Sequence, residues 1–344
     1  MANPYMKVII VVLCLNFTGL SETKSQKTGV GIYYNSDCLW DGKFLMNCSF
    51  TGKSTIPTDI SQTVTIVDLS YNNITILLWS NWRDEKWNIK YLNLSNNLIS
   101  ELSLNSFRNL PFLETLNLSG NTIHYVTLDI HKPAHWTDKH RKVHTYNLLP
   151  SLKVLSIERN NLTAIPRGLG KLQSLQSLHL SSNEISQIDQ SDFQDCSQLR
   201  NIYLQTNKIS KIHPGAFKNL KNLQVVNLSN NAMTTLLPAI FIDLNILQSE
   251  VDLSNNPWIC DCRFIAFKHF ISFLSETLRK KWSIFCSEQS LLSLKRFHLN
   301  CEMSKDNNVS FKKIAIPIGE TAVLDCDLDK TWGMCNNYYI DPTF

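Results

Sequence analysis

Few side chains in this sequence fall into patterns that do covalent chemistry. Four histidines, His131, His135, His140 and His144, share a short stretch with Lys132, Lys139, Arg141 and Lys142. Their two His-x-x-x-His spacings could hold zinc if the segments were helical. A basic site for sulfated glycans or an acidic partner is a second reading, and a solvated loop is the plainest. Cys260-Asp261-Cys262 is a Cys-x-Cys pair, whereas zinc sites usually use Cys-x-x-Cys. Asp325, Asp327 and Asp329 have calcium-loop spacing, but Lys330 stands where such a loop needs Gly and Asn336 where it needs Glu. The chain has no His-Glu-x-x-His, no Gly-x-Ser-x-Gly and no glycine-rich phosphate loop. The expectation is a non-enzyme without metal or cofactor, whose surface carries the function.

What positions that surface is a repeat. The phrase Leu-x-x-Leu-x-Leu-x-x-Asn-x-Leu, plainest at Leu223 to Met233, starts at Val64, Ile89, Leu113, Leu152, Leu175, Leu199, Leu223 and Gln248. The steps are 25, 24, 39, 23, 24, 24 and 25 residues, and a period near 24 predicts a solenoid. The ninth place is Asn in every copy: Asn72, Asn97, Asn121, Asn160, Asn183, Asn207, Asn231 and Asn256. Places 4 and 6, such as Val226 and Leu228, point the same way from a short strand into a core. Places 3, 5 and 7 are expected to face out. A lone strand cannot bury its apolar face, so each copy needs the next. The turn after the strand would strand backbone groups away from water, and Asn carries two donors and an acceptor on a short stem to meet them. Return-side apolar places follow, as in Ile99, Leu102, Phe107 and Leu110 of repeat 2 and Ile209, Ile212, Phe217 and Leu220 of repeat 6.

This pattern resembles the extracellular branch of the leucine-rich repeat family from about Cys38 to Cys301. The resemblance implies an α/β solenoid: a horseshoe of about eight repeats, a parallel β-sheet on the concave side, and disulfide-bonded caps at both ends. Ile56-Pro57-Thr58-Asp59-Ile60 resembles the end of an N-terminal cysteine-rich cap, and Cys38 and Cys48 imply one disulfide there. Asn256-Pro257-Trp258-Ile259-Cys260-Asp261-Cys262 is similar to the C-terminal cap motif; with Cys286 and Cys301 it implies the pairs Cys260–Cys286 and Cys262–Cys301. Both caps would cover the apolar ends of the stack. Beyond them, Ile314 to Cys326 resembles the opening strands of an immunoglobulin domain. Such domains need about 100 residues, and only Cys335 is at hand to pair with Cys326.

Composition agrees with a folded, secreted chain: 344 residues, 43% hydrophobic, 18% charged, net charge +4. That charge is too mild to point to nucleic acid. Lys7, the apolar run Val8 to Leu15 and small residues near Ser21 read as a signal peptide. No later stretch is apolar enough to cross a bilayer. Ten cysteines fit an oxidising compartment, with Cys14 in the signal peptide and Cys196 on a return-side apolar place as a buried thiol. The expected segments are 1–21 signal peptide, 22–63 N-terminal cap, 64–258 repeats with an insertion at 127–145 from the long step, 259–303 C-terminal cap, and 304–344 tail. The location is then secreted, or the extracellular face of the plasma membrane in a longer anchored form.

Sequons at Asn47, Asn73, Asn93, Asn117, Asn161, Asn227 and Asn308 are expected glycosylation sites. Place 5, facing the concave side, reads Asp68, Asn93, Asn117, Ser156, His179, Tyr203, Asn227 and Asp252. Repeats 4 to 6 lack a sequon there, and repeats 4 and 6 depart from the Ser usual at place 7 with Glu158 and Gln205. Ser156, Glu158, Arg159, His179, Asn201, Tyr203 and Gln205 therefore form the candidate partner-binding patch, with Tyr and Arg as favoured anchors. The expected function is an extracellular protein-binding module. The alternative is a matrix component that binds fibrous protein or sulfated glycans.

Overall fold

The computed structural model describes residues 38–57, 60–77, 86–128, 148–236 and 249–260, with shorter pieces at 34–35, 240, 264, 276, 284–286, 289–290, 312–314 and 338–340. Eight three-residue strands carry the repeats: β4 (Ile66–Asp68), β5 (Tyr91–Asn93), β7 (Thr115–Asn117), β9 (Val154–Ser156), β10 (Ser177–His179), β12 (Asn201–Tyr203), β14 (Val225–Asn227) and β15 (Glu250–Asp252). They pair in parallel, in sequence order, place for place. The sheet begins with β1 (Tyr34–Asn35), β2 (Cys38–Trp40) and β3 (Leu45–Asn47); β1, β2 and β3 are antiparallel, and β3 then starts the parallel run, for eleven strands in all. On the return side, β6 (Glu101–Ser103) pairs with β8 (Tyr125–Thr127), and β11 (Gln187–Ile188) with β13 (Lys211–Ile212). Helix is sparse there, with 3-10 turns at Leu104–Phe107 and Leu169–Lys171. The fold is thus a parallel β-solenoid.

Each strand is short because the alternation allows only two inward places before the chain must turn. Places 4 and 6 of every repeat, from Val67 and Leu69 to Val251 and Leu253, are fully buried. Place 11 is buried in all eight, ending with Trp258, whose ring meets Phe264 edge-on at 5.7 Å. Phe107, Phe193 and Phe217 fill the return side, the last two stacked at 5.8 Å. Each such side chain contributes about 1.5–3 kcal/mol by leaving water. Cys196 lies in this layer as a buried thiol, its pKa pushed up to about 12 by burial.

The turn after each strand is held by the ninth-place asparagines. Asn183 is typical: its amide donates to Ile157 O at 2.8 Å in the preceding repeat and to Leu180 O at 3.0 Å in its own, while Oδ1 accepts Leu162 N–H at 3.0 Å. Asn97, Asn121, Asn207, Asn231 and Asn256 repeat the same three links. Asn160 reaches across the long step to Leu118 O and Ile123 N–H, and in its own repeat donates to Glu158 O. β7 and β9 consequently pair with no break in register, and the sheet passes the insertion undisturbed.

The caps are partly described. Cys38 is bonded to Cys48, and Cys260 to Cys286. The predicted signal peptide, the basic stretch from His131 to His144, Cys262, Cys301, Cys326, Cys335 and Asn308 all lie outside the described residues. Of the tail, Lys312–Ile314 and Tyr338–Ile340 form a parallel pair. Among the described residues, no helix is long and apolar enough to cross a membrane, and no group of three or more potential ligands could hold a metal.

The ladder predicts a graded outcome. Asn183→Ala leaves two buried backbone groups, Ile157 O and Leu162 N–H, without a partner and should destabilise the chain by about 2–6 kcal/mol, at roughly 1–3 kcal/mol per orphaned group. Asn161→Ala, next to Asn160 in the chain but exposed, should change stability by less than about 0.5 kcal/mol. Urea titration of both variants checks this, and equal midpoints would remove the ladder from its assigned role.

Candidate functional site

The sheet face is a set of straight rows, because parallel in-register pairing puts equal places side by side. The place-5 row runs Asp68, Asn93, Asn117, Ser156, His179, Tyr203, Asn227, Asp252. Five of these eight do structural work. The side-chain Oδ1 of Asp68, Asn93, Asn117, Asn227 and Asp252 accepts the place-7 N–H of its own repeat at 2.9, 3.1, 3.0, 3.0 and 3.0 Å. Asn47 does the same for Ser49 in the cap strand at 2.9 Å. The place-5 sequons are therefore also backbone caps, a role that sequence reading missed. Place 7 is also corrected. Most of its serines do not face out: Ser70, Ser95, Ser119, Ser181 and Ser229 are buried, and only Ser254 of the last repeat is half-buried.

Repeats 4 to 6 abandon the cap, and their side chains turn to one another. Ser156 Oγ lies 2.8 Å from Ser119 Oγ. The His179 ring stacks on Tyr203 with centroids 4.5 Å apart and planes 28° off parallel. His179 Nε2 is 2.9 Å from Ser177 Oγ, and Nδ1 is 3.6 Å from Glu158 Oε1. The Ser181 hydroxyl donates to that same Oε1 at 2.6 Å. His179 beside it and the Ser181 hydroxyl outweigh partial burial and hold the Glu158 carboxyl below the usual glutamate range, with Arg159 adding to this. Burial pushes the Tyr203 phenol up, and the carboxylates of Glu250 and Glu158 push it further. Gln205 Oε1 is buried and has no hydrogen-bond partner among the described residues. Asn201 lies between Ser177 and Val225 in the place-3 row. The structure thus brings Glu158, His179, Tyr203 and Gln205 together, with Ser156 and Asn201 on the same face.

Arg159 belongs to a different feature. Place 8 is left-handed in every repeat: Tyr71, Asn96, Gly120, Arg159, Ser182, Thr206, Asn230 and Asn255 all have φ between 51° and 70°. The conformation aims each N–H at the place-7 carbonyl of the following repeat, as Arg159 N–H does to Ser181 O at 2.9 Å. Asn and Gly adopt it readily, whereas Tyr71, Arg159 and β-branched Thr206 are held there at a cost. Gly120 has a further reason, since a Cβ there would run into Asn96 Oδ1. Arg159 is therefore an exposed cation on a strained turn at the rim of the face.

Ser177, His179 and Glu158 resemble a serine–histidine–acid relay. Ser177 is buried, however, and its N–H and that of Gln176 both donate to Lys153 O at 2.9 and 2.8 Å. The backbone donors that an oxyanion would need are occupied by the sheet.

The lowered Glu158 pKa gives a signed pH prediction. Its ionised form is favoured in the fold, so its contribution is fully present above the ordinary glutamate range and fades as pH falls through the lowered value. The melting temperature of Glu158→Gln should therefore lie below that of the unaltered chain at pH 7, and the gap should close as pH falls below about 4. A gap independent of pH would show that the carboxylate charge is not what Glu158 contributes.

Comparison with known proteins agrees with this geometry. The leucine rich repeat family model matches residues 62–123, 150–209 and 197–257, on either side of the insertion. Human leucine-rich repeat-containing protein 66 is 50% identical over 288 residues, 83% of this chain and 32% of the relative. The mouse protein of that name is 37% identical over 199 residues, 58% of this chain and 22% of the relative. The chain thus spans about a third or less of the length of these relatives. The crystal structure of human 5T4, the trophoblast glycoprotein, superposes over 75% of this chain and 94% of its own with a TM-score of 0.55 at 20% identity, a shared fold. With eight in-register repeats, an unbroken asparagine ladder and these matches, the chain belongs to the leucine-rich repeat family.

Proposed function

We propose that this chain is an extracellular protein-binding module that docks its partner on the concave sheet face over repeats 4 to 6. The observation that carries the reading is the break in the place-5 row. Five repeats use that place to hold their own backbone, and repeats 4 to 6 give it to Ser156, His179 and Tyr203. A stacked His–Tyr pair at the centre of a half-buried face has the character of an interface anchor. Arg159, exposed at the rim, is the second anchor, since Arg is favoured at the centre of protein interfaces. The two disulfides of the described caps support an oxidising, extracellular setting.

The tests need a partner, obtained by a pull-down from surface-protein libraries with heparin and collagen retention run in parallel. Tyr203→Ala should weaken binding at least tenfold, about 1.4 kcal/mol or more, while Tyr91→Ala, half-buried on β5 in repeat 2, should leave it unchanged. Equal binding by both variants would move the site off repeats 4 to 6. Arg159→Asn should raise stability by about 1 kcal/mol, because Asn tolerates the left-handed turn, while weakening the complex.

Glycan placement is a separate expectation. Asn73 and Asn161 are exposed, and their side chains have no hydrogen-bond partner among the described residues, whereas Asn93, Asn117 and Asn227 are half-buried and hold backbone N–H groups. Glycopeptide mapping of the secreted chain should find fuller occupancy at Asn73 and Asn161 than at those three. The reverse order would mean that glycans cover the flanks of the concave face.

A further inference from the structure

We infer that the concave face receives a cationic side chain of the partner, a lysine or arginine, seated on the His179 and Tyr203 rings between Glu158 and Glu250; this rests on the concave-face docking proposed above. The first support is charge segregation. The chain as a whole is +4, yet places 3, 5 and 7 of all eight repeats hold Asp68, Glu158, Glu250 and Asp252 and no lysine or arginine. The basic residues of the strand segments stand at place 2 instead, as Lys90, Lys153 and Arg200, all exposed. A random scatter of basic and acidic residues over the surface would not leave one face with a single sign. A face of one sign attracts the opposite charge and repels its own.

The second support is the hydrogen-bonding character of the patch. Both contacts to Glu158 fall on Oε1, from Ser181 and His179, and Oε2 has no partner among the described residues. Gln205 Oε1, two residues beyond Tyr203, is a buried acceptor without a donor. Such orphans are rare and call for an explanation. Because Gln205 is itself half-exposed, rotation of its side chain can bring this oxygen to the surface. What the patch offers is therefore one open acceptor oxygen on Glu158, a second on Gln205 that side-chain rotation can expose, and the faces of stacked rings. A guanidinium or ammonium, all donor and positively charged, matches that set. Glu158 and Glu250 both act on the Tyr203 phenol from different repeats, so their fields overlap at the rings. Arg159 lies outside this set at place 8, at the rim. An acidic or sulfated partner would meet four carboxylates on the face.

The test uses the full chain and defined probes. A fluorescein-labelled peptide of alternating glycine and arginine, and its glycine–glutamate counterpart, are titrated by fluorescence anisotropy at low and high salt. The cationic peptide should bind saturably, weaken with salt, and lose at least tenfold in affinity in Glu158→Gln/Glu250→Gln and in Tyr203→Ala. Glu184→Gln, which removes an exposed carboxylate paired with Lys208 at 3.2 Å beyond the ladder, should match the unaltered chain. Glu158→Gln keeps an acceptor for the Ser181 hydroxyl, and a thermal melt of each variant at pH 7 confirms that the fold survives. Equal affinity in the double variant, or preference for the acidic peptide, overturns the inference. If the cationic peptide fails while a captured partner still loses binding in Tyr203→Ala, the charge inference falls and the docking site stands. A partner indifferent to Tyr203→Ala removes the docking site itself, and with it this inference.

Discussion

The structure depends on one constraint: a chain that turns inside its own core must pair every backbone group it takes out of water. A three-residue strand offers one inward side chain, with a second just beyond its end, so the turn follows at once. Water cannot serve there, and an unpaired amide would cost about as much as the burial of a leucine contributes. Asn meets the need because one short side chain has donors and acceptor at the right separation. Its amide ties the place-6 carbonyls of two successive repeats, and its oxygen ties place 11 of the earlier one. The side chain is thereby shared between repeats, so neither turn is complete alone. This is why the asparagine is needed in every copy although its neighbours vary.

The same constraint decides which places are free to vary. Places 4, 6, 9 and 11 are fixed by burial. Place 8 is fixed in backbone geometry but not in side chain, since its left-handed φ only makes Asn and Gly cheaper. Place 5 is intermediate: an Asn or Asp there holds the place-7 N–H, an aid that a repeat can forgo. A departure is accommodated where a local aid is dispensable because the ladder still holds the turn. Repeats 4 to 6 forgo it in succession, and in-register pairing then sets Ser156, His179 and Tyr203 side by side. Neither His179 nor Tyr203 could stack on a neighbour if the register slipped by one residue.

Much of this was legible in the sequence because burial and backbone pairing act at fixed spacings. The repeat starts, the ninth-place asparagines, the inward pairs and the return-side Phe107 and Phe217 could all be read from periodicity. What was less legible depends on side-chain direction and on φ. Asn93, Asn117 and Asn227 read as sequons, since Asn-Leu-Ser is what the repeat pattern yields when an Asn cap precedes an inward Leu and a place-7 Ser. The place-7 serines read as solvent-facing by strict alternation, but the strand has already begun to turn there and the next repeat covers them. The left-handed column was invisible because Tyr71, Arg159, Ser182 and Thr206 carry no glycine signal. Arg159 stood out by its charge rather than its backbone. Glu250 gave no cue alone; its bearing on Tyr203, two strands away in the sheet, appears only once the rows are laid out.

The long third step shows how local the ladder's demand is. Between β7 and β9 the step is 39 residues where its neighbours take about 24. Loop closure grows only logarithmically with length, so the additional residues cost well under 1 kcal/mol in chain entropy. A break in register would cost far more, because Asn160 would lose Leu118 O and Ile123 N–H at once. The solenoid therefore tolerates an insertion of almost any length on its return side and almost none on its sheet side. Variation in length is directed to the outer edge, and variation in chemistry to the sheet face. The insertion enters immediately before repeat 4, where the place-5 cap is first given up, so the two kinds of variation meet at one point along the solenoid. The sheet there keeps its geometry because the ladder beneath it is unchanged.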